Sequence, residues 1–289
     1  MARKPISVAF VSQKGGSGKS SIAASIALLL ARWCENEERQ DIILCIDTDV
    51  RTASLTSLLL GNPKDVRTFL DLFLFGPRME IVQNLIFMAE PPDAQHFENL
   101  VVVPARRAGE DEHLIYQAYR LGYSHKYVTE LFKKFFELLV GKVSLILVDL
   151  PPLTWVVNPL LQGVVKVMDY IVYVAEPVDK QLAGLQETIR LVNKLTGSSN
   201  GKMLALFLNR VTNEYFHPGL TWVELIEKYF NVSYEGRDPR KPGFWMIPHD
   251  DNWVRLRNER KAPVYVVSES TKVLGRAVTS YIIPFLFSS

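Results

Sequence analysis

A short apolar run, Ile6 to Val11, passes almost directly into Lys14-Gly15-Gly16-Ser17-Gly18-Lys19-Ser20, and a helix-patterned stretch from Ser20 to Trp33 follows at once. The first run has the length and the β-forming residues of a buried strand. The last spaces apolar residues at helical intervals and is rich in alanine. Between them, three glycines permit a tight turn that aims successive backbone N–H groups at one point. That point lies at the positive end of the following helix. A strand, a glycine loop and a helix in this order build a cradle for phosphate groups. Gly15-Gly16-Ser17-Gly18 does not give the spacing of a dinucleotide fingerprint, and a lysine closing the loop suits terminal phosphates. A strict phosphate-loop pattern would have glycine where this chain has Gln13.

The remainder of the chain repeats the alternation. Strands are predicted at Ile42–Ile46, Leu100–Val103, Val143–Val148, Tyr170–Ala175, Met203–Leu208 and Phe244–Ile247. Helices are predicted at Leu55–Leu60, Tyr127–Leu139, Gln181–Leu195, Leu220–Phe230 and Ser268–Ile283. Apolar strands alternating with amphipathic helices indicate an α/β fold with a mostly parallel central sheet covered on both faces. No linker or break in composition divides the chain, so one domain over residues 1–289 is expected, with a proline-cut insert at about 61–99. Within that insert Leu70–Phe75 reads either as a helical turn against the sheet or as a partner surface.

Two of these strands end on carboxylates. Asp47 and Asp49 follow the second strand, and Leu145-Ile146-Leu147-Val148 ends on Asp149. Ligand sites of such sheets gather at that edge.

The stretch from Lys14 to Ser20 resembles the deviant Walker A motif of the ParA/MinD superfamily, a group of three-layer P-loop NTPases. The resemblance runs from Pro5 to about Phe285 and is thin over the insert. It implies ATP and Mg²⁺ as cofactors. Gly15, Gly16, Ser17, Gly18, Lys19, Ser20 and Ser21 would bind the nucleotide, Lys19 reaching its β- and γ-phosphates. Lys14 would cross a dimer interface to the partner's phosphates. Asp49 resembles the aspartate that positions the attacking water, and Ser20, Asp47 and Asp149 resemble residues at or near the metal. Asp149-Leu150-Pro151-Pro152 is similar to the second switch. Asn209 and Arg210 resemble the adenine-reading segment, and Ile247-Pro248-His249-Asp250 the segment flanking the base, so Pro248 and Asp250 join the expected site.

The activity implied is slow, partner-stimulated hydrolysis of ATP by a nucleotide-dependent homodimer, driving the segregation or positioning of DNA or a cellular assembly. Non-specific DNA is the leading track, on the basic residues Arg255, Arg257, Arg260, Lys261, Lys272 and Arg276. A MinD-like ATPase placing machinery on a membrane or protein scaffold is the alternative, and a small-molecule ligase or kinase of the same fold the lesser one. The apolar tail at 281–289 contains Pro284 and no Lys or Arg. It is expected to pack on the domain or a partner rather than act as a basic membrane helix. A formal net charge of +2 names no acidic partner. Cys34 and Cys45 lack metal-ligand spacing and are expected to be buried thiols. No apolar run approaches the length of a membrane span, so a cytoplasmic protein is expected, with association to the nucleoid or to the membrane periphery left open.

Overall fold

A computed structural model describes residues 3–92, 96–106, 124–152, 159–198, 202–212 and 222–287. Its centre is a nine-stranded sheet among the described residues. The strands are β1 (Ile6–Val11), β2 (Ile43–Asp47), β3 (Phe87–Met88), β4 (Leu100–Val103), β5 (Leu145–Asp149), β6 (Tyr170–Ala175), β7 (Met203–Val211), β8 (Ser233–Tyr234) and β9 (Gly243–Pro248). They lie in the order β3-β4-β2-β5-β1-β6-β7-β9-β8. Every pairing is parallel except that of β3 with β4. β1 sits between β5 and β6, where the chain order reverses, so the loop after β1 opens at the crevice where open α/β sheets bind ligands.

The inner strands are apolar throughout because both faces are covered. On one face lie α1 (Lys19–Asn36), α2 (Ser54–Leu60) and the C-terminal helices α10 (Glu269–Ala277) and α11 (Ile283–Phe287), sharing a core with Ile22, Ile26, Leu55, Leu59, Leu274 and Leu286. On the other lie α3 (Phe69–Phe75), α4 (Met79–Gln83), α5 (His125–Leu138), α6 (Pro159–Val167), α7 (Asp179–Thr196) and α8 (Trp222–Phe230), whose core includes Phe69, Phe132, Phe135, Leu161 and Leu185. α9 (Asp251–Asn258) and a 3₁₀ turn at Pro263–Tyr265 lie after β9. This is the three-layer α/β architecture expected from the sequence.

The insert supplies α3, α4 and the edge strand β3; residues 93–95 lie outside the described residues. The Asp71 carboxylate accepts a hydrogen bond from the Thr68 N–H at 2.7 Å, starting α3. Phe69 and Leu72 are buried, while Leu74 and Phe75 at its end are 59% and 50% exposed. The helix therefore packs on the sheet and also presents an apolar tip. The tail packs on the body. Phe287 lies 5.1 Å from the Trp33 ring, Arg39 covers both rings, and Ile282, Ile283 and Leu286 are buried. Among the described residues no helix is long and apolar enough to cross a membrane. Cys34 and Cys45 are buried free thiols, and burial pushes Cys34 up to about 11.

β3 and β8 escape the sequence reading because two residues carry no periodic signal. Of the helix predicted over 220–230, the described part is Trp222–Phe230.

Candidate functional site

The loop between β1 and α1 is fixed by its backbone. Gly16 and Gly18 both have φ of +89°. Gly18 has a second reason to lack a side chain, since a Cβ there would lie 2.2 Å from Nδ2 of Asn209. That amide donates to the Ser17 carbonyl at 2.8 Å, joining the end of β7 to the loop. On the other side, a Cβ at Gly184 of α7 would lie 1.7 Å from Nε2 of Gln13. Gln13 thus uses the space that a glycine on a neighbouring helix leaves, a contact across the fold that no local pattern signals.

The two loop lysines face different surroundings. Lys14 is exposed on the rim. Lys19 is 5% exposed and its ammonium bonds Asp149 Oδ1, on a carboxylate with no exposure. Burial raises the Asp149 pKa, against the pull of the Lys19 charge and of hydrogen bonding from Ser20. Asp149 Oδ2 and Ser17 Oγ are buried without a hydrogen-bond partner. An orphaned carboxylate oxygen near a Ser20 hydroxyl is the oxygen donor set that suits Mg²⁺.

Asp47 is register partner to Asp149 across β2 and β5. It lies beneath the site, with no exposure. Its Oδ1 accepts from the Asp49 N–H at 3.0 Å, and its Oδ2 accepts from both the N–H and the hydroxyl of Thr56 at 2.8 Å. The carboxylate expected near the metal ties the Asp49 turn to α2, with both oxygens engaged. Burial, and then the charge of Asp149, push its pKa up to about 7. Asp49 faces the cavity above, its Oδ2 accepting from the Thr52 hydroxyl at 2.9 Å. Sequence reading missed Thr52 and Thr56, which belong to no motif and matter only through the chain's return over the strand end.

Two adjoining cavities carry the candidate nucleotide-binding residues. One is lined by the loop from Lys14 to Ser21, with Asp49, Pro152 and Arg260. The other is lined by Asn209, Arg210, Pro248, His249 and Asp250, together with Trp253 and Pro263, which the sequence reading missed. Gly18 and Ser21 border both. Arg210, at a φ of +61°, pairs with Glu176 at 2.6 Å. Glu176 Oε2 also accepts from Gln181 at 2.6 Å. One Asp250 oxygen caps the start of α9 through the Asn252 N–H, and the other is buried and unpartnered.

The basic residues predicted to form one surface are divided. Arg260 borders the phosphate-loop cavity. Arg255 and Lys261 both face Glu259, at 3.9 and 3.3 Å. Lys272 faces Glu269 at 3.8 Å, and Arg276 lies between Glu235 and Glu269 at 3.5 and 3.6 Å. Arg257 lies on α9.

Residues 8–262 match the model of the CobQ/CobB/MinD/ParA nucleotide binding domain. A comparison with curated proteins gives no match. Among solved structures, the cell division ATPase MinD of Pyrococcus furiosus aligns at 20% identity and TM-score 0.68, covering 94% of this chain and 96% of that one. An McdA–ATP complex from Cyanothece aligns at 15% identity and TM-score 0.66, covering 96% of both chains. A plasmid partition protein from Borrelia burgdorferi aligns at 19% identity and TM-score 0.58, covering 96% of this chain and 97% of that one. At these identities the likeness is one of fold.

Proposed function

We propose that the ATPase formed by this chain, which belongs to the CobQ/CobB/MinD/ParA family of nucleotide-binding domains, is a nucleotide-gated dimeric switch that positions a cellular assembly. The observation that carries the reading is the division of labour between the two loop lysines. Lys19 is buried against Asp149, in place to meet the phosphates of its own nucleotide, while Lys14 points from the rim and is free to meet a second subunit.

In this reading the nucleotide lies with its phosphates over the loop and its base in the cavity of Asn209, Arg210, Pro248 and Asp250. The loop N–H groups and the helix end hold the phosphates. Lys19 transfers its contact from Asp149 to the phosphates, and Asp149 and Ser20 would hold the metal. Bound Mg²⁺ would neutralise charge on the phosphate oxygens. Asp49 orients the attacking water, and Asp47, through the Asp49 N–H, holds it in place. Lys14 of the opposite subunit adds positive charge where it develops during transfer.

For the track, the observations favour a scaffold of the MinD kind over DNA. Arg255, Lys261, Lys272 and Arg276 each face a carboxylate, and Arg260 lies at the nucleotide cavity. Among the described side chains of this cluster, that leaves little uncompensated charge for phosphate backbones. The tail is packed into the core, which argues against its use as a membrane anchor and leaves a protein surface as the favoured track. Sedimentation with duplex DNA and with anionic vesicles, in ATP, ADP and no nucleotide, tests this. The expected result is no ATP-dependent capture by either. Salt-sensitive DNA binding seen only with ATP and lost in Lys14→Ala would restore the DNA track.

A further inference from the structure

We propose that Arg260 is a phosphate-binding residue of the nucleotide site, supplied in cis by the turn that ends α9. The proposal rests on the reading that the phosphate-loop cavity holds a nucleoside polyphosphate. Arg260 lines that cavity together with the loop of Lys14 to Lys19, and its turn leads on to Pro263, which borders the adjoining cavity. The turn therefore supplies one lining residue to each of two cavities that also share Gly18 and Ser21, the two that a bound nucleotide would span on this reading.

The backbone gives an independent reason. The Lys261 N–H donates to the Leu256 carbonyl at 2.8 Å, closing α9 in a pattern that places Arg260 in the left-handed region at φ +61°. Glycine is the usual residue at that place in such a helix end, because a Cβ is penalised there. An arginine stands where the helix ending alone would favour glycine, and strain of this kind concentrates at functional sites. The side chain is also uncommitted. Its neighbours Arg255 and Lys261 both face Glu259, whereas Arg260 makes no ion pair or hydrogen bond among the described residues. Asp49 borders the same cavity without pairing with it. A guanidinium beside an array of backbone N–H groups and a lysine extends an anion site, and its planar donors match phosphate oxygens.

The test is equilibrium binding of fluorescent ADP and ATP, with Mg²⁺, to the full chain and to Arg260→Gly, Arg260→Lys and Lys19→Ala. ADP reads the cis contact without requiring a dimer. Arg260→Gly should lose about tenfold in affinity for both nucleotides, the scale of one charge-assisted hydrogen bond. Its Tm should be equal to or above that of the parent, since the glycine relaxes the turn. Arg260→Lys should fall between the two. If the parent binds and Lys19→Ala does not, while Arg260→Gly binds as the parent does, the inference is wrong and the nucleotide reading stands. Unchanged affinity with a reduced turnover rate would likewise overturn it, pointing to action on Asp49. If the parent binds neither nucleotide, both fail together.

Discussion

The side-chain amide of Asn209, near the end of β7, donates to the Ser17 carbonyl at 2.8 Å, and that amide also fills the space into which a Cβ at Gly18 would project. One residue of the second cavity therefore helps set the shape of the glycine loop. Gly18→Ala should weaken ATP binding at least tenfold for two separable reasons. The steric conflict with Asn209 is one, and the left-handed φ, which costs about 1–2 kcal/mol for an L-residue, is the other. The double variant Gly18→Ala/Asn209→Ala removes only the first. In a double-mutant cycle read by ATP affinity, it should bind better than the sum of the single losses predicts.

Lys19 and Asp149 are a buried pair in which removing one partner strands the other. Lys19→Met should destabilise the nucleotide-free protein by roughly 3–5 kcal/mol at pH 8, the usual cost of leaving an uncompensated buried charge. The loss should be smaller at pH 5. Burial already raises the Asp149 pKa, and without Lys19 the carboxyl accepts a proton more readily still. Denaturant melts at the two pH values measure the difference.

Asp47 gives a second pH dependence with a definite sign. Its folded pKa is about 7, above the ordinary carboxylate value of 3.8. Its stabilising contribution is therefore complete below about pH 4 and is lost as pH rises towards and through 7. The Tm of the parent minus that of Asp47→Asn should fall between pH 5 and pH 8. The difference cancels the titration of other groups common to both proteins. A difference that stays flat over this range would show that Asp47 is ionised throughout.

The placement of the glycine loop, Asp49, Asp149 and residues 248–250 near one edge of the sheet was legible because each ends or follows a strand, and the alternation of strand and helix already gathers those strand ends. The sequence was less informative where function depends on what the chain returns to. Asp47 ends its strand as a metal-near aspartate would, but nothing in one dimension shows that Thr56 and the Asp49 N–H engage both of its oxygens. Arg260 read as part of a charge run, because neither the turn that aims it nor the carboxylates opposite its neighbours can be seen in one dimension. Gly184 gave no sign that it makes room for Gln13.

The tail supplies a prediction about the fold rather than the chemistry. Leu286 is 2% exposed and shares a core with α1. Leu286→Ala should cost about 2–5 kcal/mol by thermal or chemical melts, as a large-to-small change in a packed core. A tail held for membrane docking would instead tolerate the change with little loss.

The central claim is that ATP, and not ADP, joins two copies of this chain through Lys14. Asp49→Ala should slow hydrolysis by roughly 10²–10⁴-fold, the scale of general-base and water-positioning groups, while leaving the site able to bind. Analytical ultracentrifugation of that variant with ATP, ADP or no nucleotide reads the claim directly. A dimer with ATP alone, absent when Lys14→Ala is added, is the result the account predicts. The same sedimentation coefficient in all three states, in a protein that demonstrably binds ATP, would contradict it.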